Sequence, residues 1–203
     1  MTQELIQEGA EAKIFKKIEG DATTIIKQRI NKKYRIEAIN KLLIPSRTRR
    51  EVKVMNKLNV LGVNVPKIIF TNKKDIIEMD FIQGEKIRDV LDNNVKLAEN
   101  IGEILVILHD NNIIHGDLTT SNMLLNNNEI YFIDFGLSLF SRRLEDKAVD
   151  IHLFKQALES KHHKISEQAY KLFLKGYKKS KDHNEVMKRL KKVESRGRNI
   201  NKE

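Results

Sequence analysis

Cysteine and tryptophan are absent from this 203-residue chain, and proline occurs only twice. Without cysteine there is no disulfide framework, no Cys-ligated zinc, no iron–sulfur centre and no thiol nucleophile. No apolar run approaches the roughly 20 residues that a membrane helix needs. The opening MTQELIQEGAEAK has none of the regions of a signal peptide. These absences lead us to expect a soluble, cytoplasmic protein with no membrane partner. Acidic residues are also scarce relative to basic ones: 28 Asp and Glu face 38 Lys and Arg, a net charge of +10. That balance favours polyanions such as RNA, DNA, nucleotides or acidic protein surfaces, although a Lys-rich solvated surface would give the same total. What is present, 40% hydrophobic and 33% charged residues, is a globular composition. The length allows one domain or two small lobes.

The chain changes character near Gly84. Before it, Glu4–Glu8 and Ala12–Ile18 alternate apolar and polar residues around Gly9, as a hairpin would. Thr23–Ile30, rich in β-branched residues, reads as a third strand. Ser46 is placed to cap a helix running to about Val60, with Val52, Met55 and Leu58 on one face and Gly62 past its end. Two further strands are expected over Lys67–Thr71 and Asp75–Phe81. After Gly84, Val95–Asp110 carries Leu97, Ile101, Ile104, Leu105 and Leu108 at helical spacing. Asn126-Asn127-Asn128 is turn chemistry between the apolar runs Met123–Leu125 and Ile130–Ile133. Glu145–Val193 reads as helical with polar breaks. A strand-rich half before a helix-rich half predicts an α+β protein of two lobes, about 1–80 and 81–193, with a basic tail over 194–203.

The chemistry is concentrated in residues 113–138, IIHGDLTTSNMLLNNNEIYFIDFGLS. Asp117 is followed five residues later by Asn122, and Asp134 opens the tripeptide Asp134-Phe135-Gly136. Phosphoryl transfer from ATP asks for hard oxygen ligands for magnesium and for a carboxylate that orients the attacking oxygen. Asp117 suits the second task, and Asn122 and Asp134 suit the first. Asp and Asn also simply form turns, but the joint spacing of His115-Gly116-Asp117-x-x-x-x-Asn122 with Asp134-Phe135-Gly136 sets this segment apart.

The segment resembles the catalytic loop and metal-binding motif of protein kinases. His115-Gly116-Asp117-Leu118-Thr119-Thr120-Ser121-Asn122 and Ile133-Asp134-Phe135-Gly136-Leu137 are similar to the small atypical kinase of the KEOPS complex, the PRPK-like family in its stand-alone archaeal-type form. Further matches are Gly9-Ala10-Glu11-Ala12, Lys27-Gln28-Arg29-Ile30, Arg47-Thr48-Arg49-Arg50-Glu51, Glu145-Asp146-Lys147-Ala148-Val149-Asp150 and Arg196-Gly197-Arg198. The resemblance implies a bilobal protein-kinase-like fold, with a small β-rich N-lobe and a reduced helical C-lobe, that uses ATP and Mg2+. It implies that Lys27 contacts the phosphates, Glu51 pairs with Lys27, Gly9, Ala10, Glu11 and Ala12 cover the phosphates, and Met79 and Phe81 meet adenine. Asp117 is then catalytic, Asn122 and Asp134 hold the metal, His115 braces the loop, and Asp150 supports it from a central helix.

The implied function is an ATP-dependent Ser/Thr kinase or ATPase subunit of KEOPS, supporting threonylcarbamoylation of the tRNA adenosine beside the anticodon. The implied partners are the threonylcarbamoyl-transferase subunit, a small KEOPS regulatory subunit and tRNA. Departures from ordinary kinases point the same way. Gly116 replaces the usual arginine, Thr119 stands where many kinases carry lysine, and thirteen residues between Gly136 and Asp150 leave no place for an Ala-Pro-Glu motif. A peptide-docking platform is therefore missing, whereas the residues for nucleotide hydrolysis are kept. The alternatives are a small-molecule phosphotransferase and a non-catalytic tRNA-docking subunit. The tail cations Lys191, Lys192, Arg196 and Arg198 are candidate tRNA contacts, with Gly197 permitting a turn back towards the site. The remaining histidines, His109, His152, His162, His163 and His183, show no metal-site spacing and read as surface or core.

Overall fold

The structure, a computed structural model, describes residues 2–9, 11–31 and 37–200, with side chains up to residue 196. The chain divides between Gln83 and Gly84 into two units.

Five antiparallel strands build the N-terminal unit: β1 (Thr2–Glu8), β2 (Ala12–Glu19), β3 (Ala22–Arg29), β4 (Ile68–Thr71) and β5 (Ile76–Asp80), in the order β1-β2-β3-β5-β4. Register places Lys27 of β3 between Ile14 of β2 and Ile77 of β5. On β5 the period of two buries Ile77 and Met79 and turns Glu78 to the other face, where it accepts hydrogen bonds from Lys17 (3.1 Å) and Thr24 (2.9 Å). Among the described residues one helix, α1 (Glu37–Val60), joins these strands, with Glu51, Val54, Met55 and Leu58 buried at helical spacing. Its start corrects the expectation of a cap at Ser46: the helix passes through Pro45 and begins at Glu37. Pro45 lacks the N–H that would reach the carbonyl of Lys41. Ala38, Lys41, Leu42 and Leu43 upstream are nevertheless strong helix formers, and a long helix outweighs one lost bond.

The C-terminal unit starts with β6 (Glu85–Lys86) and a four-residue helix α2 (Ile87–Val90), followed by α3 (Leu97–Asp110). Next come β7 (Ile113–Ile114), a 3₁₀ turn at Thr120–Asn122, β8 (Met123–Asn126), β9 (Glu129–Phe132) and β10 (Leu139–Phe140). Three helices close it: α4 (Leu144–Lys161), α5 (Ser166–Tyr177) and α6 (His183–Ile200). β6, β8 and β9 form one small sheet, while β7 and β10 pair as a ribbon that flanks the motif loops. Asn127 (φ 49°) and Asn128 (φ 64°) make the two-residue β8–β9 hairpin with both φ positive, as asparagine tolerates. The two-residue strands and α2 are too short to leave a periodic signal, and the sequence does not announce them.

Helices α3 and α5 approach so closely that a Cβ on Gly102 would lie 2.1 Å from the carbonyl oxygen of Phe173, and one on Gly176 would lie 2.1 Å from that of Glu99. Phe154 and Phe173 pack tilted at 32° with ring centroids 4.4 Å apart beside Tyr177, all fully buried. Burying such a side chain contributes about 1.5–3 kcal/mol. No helix among the described residues is long and apolar enough to cross a membrane.

Candidate active site

In the N-terminal unit, β3 points Lys27 and Arg29 to one face two residues apart, and both reach Glu51 on α1. Lys27 Nζ lies 2.7 Å from Glu51 Oε1, and Arg29 pairs with Oε2. All three are buried: Glu51 is 1% exposed, Lys27 and Arg29 each 6%. Arg29 joins the site residues that the motif implies. The sequence signal for it is the alternation of a strand, which puts residues i and i+2 on one face. Gly9 donates its amide to the carbonyl of Ala12 (2.9 Å), and Glu11 accepts from Arg47 (2.6 Å). Ala10 lies outside the described residues. Met79 is buried, and Phe81 is half-buried with Lys16 Nζ 4.7 Å from its ring centre.

In the C-terminal unit the motif residues form a connected network. Asn122 Nδ2 donates to both the carbonyl oxygen and Oδ2 of Asp117, each at 2.9 Å. Both amide hydrogens are thereby spent, and Asn122 Oδ1 remains as a hard oxygen donor. Asp134 is exposed in the left-handed region (φ 60°), with Oδ1 accepting from the amide of Gly136 at 3.2 Å. Its neighbour Phe135 is fully buried against His115, with ring centroids 4.8 Å apart. The turn is therefore anchored by the phenyl ring while the carboxylate stays outside.

His115 is completely buried, and burial pushes its pKa below the usual 6.5 despite the opposing pull of Asp150, Asp134 and Asp117. We assign the neutral ring with Nε2–H donating to the carbonyl of Ile133 (3.2 Å) and Nδ1 accepting the amide of Asp117 (3.3 Å). Asp150, also fully buried, accepts the amides of His115 (2.7 Å) and Gly116 (2.8 Å) on separate oxygens. Behind it, His109 Nε2 lies 3.3 Å from Asp150 Oδ2, and its Nδ1 lies 2.8 Å from the Tyr177 hydroxyl. A Cβ on Gly116, at φ 80°, would sit 2.4 Å from the carbonyl oxygen of Leu137. An arginine there has neither the backbone angle nor the space.

The tail forms an ordered helix: α6 runs through Gly197 to Ile200, which corrects the expected turn there. Val186 and Leu190 are buried, Arg189 pairs with Glu145, Arg196 reaches Glu145 at 2.7 Å, and Glu194 accepts from Lys155 at 2.7 Å. Lys191 and Lys192 are exposed. The side chain of Arg198 lies outside the description.

The RIO domain model matches residues 6–149. The chain belongs to the RIO-domain family. KEOPS complex subunit Bud32 of Pyrococcus abyssi is 39% identical, across 96% of this chain and 95% of that protein. The probable bifunctional tRNA threonylcarbamoyladenosine biosynthesis protein of Methanocaldococcus jannaschii is 40% identical across 98% of this chain, which spans 37% of that longer protein. The Rio2 kinase-ADP/Mg2+-phosphoaspartate complex from Chaetomium thermophilum superposes with a TM-score of 0.62 at 14% identity, covering 94% of this chain and 70% of that one. The fold is kinase-like, and the resemblance to the KEOPS kinase family stands.

Proposed function

We propose that this RIO-domain protein is an ATP-dependent phosphotransferase or ATPase, working as the kinase-like subunit of a KEOPS assembly that threonylcarbamoylates tRNA. The observation that carries this reading is the Asp117–Asn122 pair, bonded side chain to side chain on a loop whose backbone is clamped by a buried carboxylate. Asp117 Oδ2 is occupied by Asn122, so Oδ1 is the atom that orients the attacking hydroxyl or water and takes its proton. Asn122 Oδ1 and the exposed Asp134 carboxylate are the oxygens that would hold Mg2+.

The donor set fits that ion. Among the described residues no three His, Cys, Asp or Glu side chains cluster as a metal site. Magnesium arriving with nucleotide phosphates needs only one or two protein oxygens. When bound, it neutralises charge on the phosphates. Lys27, held extended by Glu51, holds the phosphates. Gly9, Ala10, Glu11 and Ala12 cover them, and Met79 and Phe81 receive the base. The names of the KEOPS and tRNA-modification relatives support partner subunits of the KEOPS type and tRNA as partners, and the tail cations Lys191, Lys192, Arg196 and Arg198 are the residues we assign to tRNA.

The test is ATP turnover by the full chain with magnesium. Asp134→Asn and Asp117→Asn should each lower it by about a thousandfold, because electrostatic placement carries most of this reaction. Asn tolerates the left-handed backbone at 134, so the melting temperature should hold. Turnover near wild type in Asp134→Asn overturns the metal assignment.

A further inference from the structure

The loop that carries Asp117 is gripped from outside at both ends. At its start Asp150 holds the amides of His115 and Gly116. At its far end the grip comes from His162, which follows the last turn of α4 and is 1% exposed. His162 Nδ1 lies 2.6 Å from Asp92 Oδ1, and Nε2 lies 3.1 Å from Thr120 Oγ1. Thr120, itself 1% exposed, is the first residue of the 3₁₀ turn whose last residue is Asn122. The backbone of His162 already caps α4 by donating to Leu158 (2.8 Å), so the buried imidazole is not needed for that task. An imidazole shut between a carboxylate and a hydroxyl, with both nitrogens engaged, has one orientation. With Nδ1–H given to Asp92, Nε2 is fixed on the threonine hydroxyl.

We propose that His162, backed by Asp92, is a positioning residue for phosphoryl transfer: it pins Thr120 and so sets the 3₁₀ turn that aims Asn122 at Asp117 and at the metal. This rests on the roles given above to Asp117 and Asn122. His162 itself touches neither residue, and it acts only through Thr120.

Three variants of the full chain separate this role from mere packing. In His162→Asn the side-chain amide falls near the position of Nδ1 and serves Asp92 alone. In His162→Gln it reaches the position of Nε2 and serves Thr120. Thr120→Val removes the hydroxyl at constant shape, so it stays measurable if a histidine variant folds poorly. We expect His162→Asn and Thr120→Val each to lower kcat about tenfold and to raise the magnesium concentration for half-maximal turnover, with KM for ATP little changed. His162→Gln should restore most of the rate. Without nucleotide, hydrogen exchange at the amides of Asn122 and Ile133, which donate within and beside the turn, should quicken about tenfold in His162→Asn and Thr120→Val and not in His162→Gln. If His162→Gln is no better than His162→Asn in both rate and exchange, the proposal is wrong. If Asp117→Asn turns over ATP like the wild type, the phosphotransfer reading falls instead, and the exchange pattern alone decides whether His162 holds the turn.

Discussion

In the N-terminal unit Lys27 is held by charge: one buried carboxylate, Glu51, takes both Lys27 and Arg29. In the C-terminal unit Asp117 is held by its loop's main chain: the amides of His115 and Gly116 are fixed on Asp150, and the Asp117 carbonyl accepts from the Asn122 side chain. The two arrangements load stability and activity differently. A buried ion pair sits on a large desolvation cost, so removing one partner leaves the others stranded. A loop clamped by its main chain keeps its shape when the projecting side chains change. The Lys27–Glu51–Arg29 cluster should therefore break by unfolding and the Asp117 loop by losing chemistry alone.

Glu51→Gln tests the charge cluster and should have the largest effect on stability. It leaves Lys27 and Arg29 buried beside a neutral amide and should cost about 3–5 kcal/mol in urea unfolding of the full chain. A loss below about 1 kcal/mol would mean that packing rather than charge holds β3 to α1, and the contrast between the two arrangements would vanish.

Gly116→Ala tests the backbone clamp where it is tightest. The new methyl combines a left-handed residue, about 1–2 kcal/mol, with overpacking against Leu137, about 1–3 kcal/mol. It should also loosen the Gly116 amide from Asp150, so turnover should fall with stability, unlike the Asp134→Asn case. Retained melting temperature and turnover would show that the loop can yield there.

Acid should weaken the same clamp. The folded chain keeps His115 neutral because its pKa is lowered by burial, whereas the unfolded chain takes a proton near 6.5. The unfolded state thus binds more protons below that pH. Stability falls as pH drops through about 6.5, by at most about 1.4 kcal/mol per pH unit from this ring. Measured from about pH 7 to about pH 5, the wild type should lose more stability than His115→Gln, which carries no titrating group. Parallel curves would place the proton uptake on a group other than His115.

These contrasts also mark what the sequence reveals. Local patterns are legible: the β2–β3 alternation, the Asn127-Asn128 turn, and a motif whose spacing already joins Asp117 to Asn122. The supports come from far along the chain and carry no spacing. Asp150 reaches His115 across 35 residues, Tyr177 reaches His109 across 68, and His162 reaches Asp92 across 70. A lone buried histidine has the same local sequence whether it fills a core or grips a loop. The start of α1 is hidden for a different reason: Pro45 is a local stop signal that a 24-residue helix overrides.

The smallest effect is expected in the tail, and its structure decides how it must be tested. Deleting everything after Val193 would remove Glu194 and Arg196, which bind Lys155 and Glu145 on α4. Such a truncation would confuse lost packing with lost RNA contact. Lys191 and Lys192 are exposed on the same helix, and alanine is the best helix former, so Lys191→Ala with Lys192→Ala removes charge without that damage. The melting temperature should be unchanged. If the two lysines meet tRNA phosphates, affinity should drop a few-fold at low salt. The slope of log K against log salt should then flatten by about 0.7–0.9 per lost contact, because fewer counterions are released. Such a change would distinguish α6 from a helix whose cations serve only to fasten it to α4, as Arg189 does through Glu145. An unaltered slope together with unaltered affinity would remove Lys191 and Lys192 from the RNA surface and leave α6 as packing.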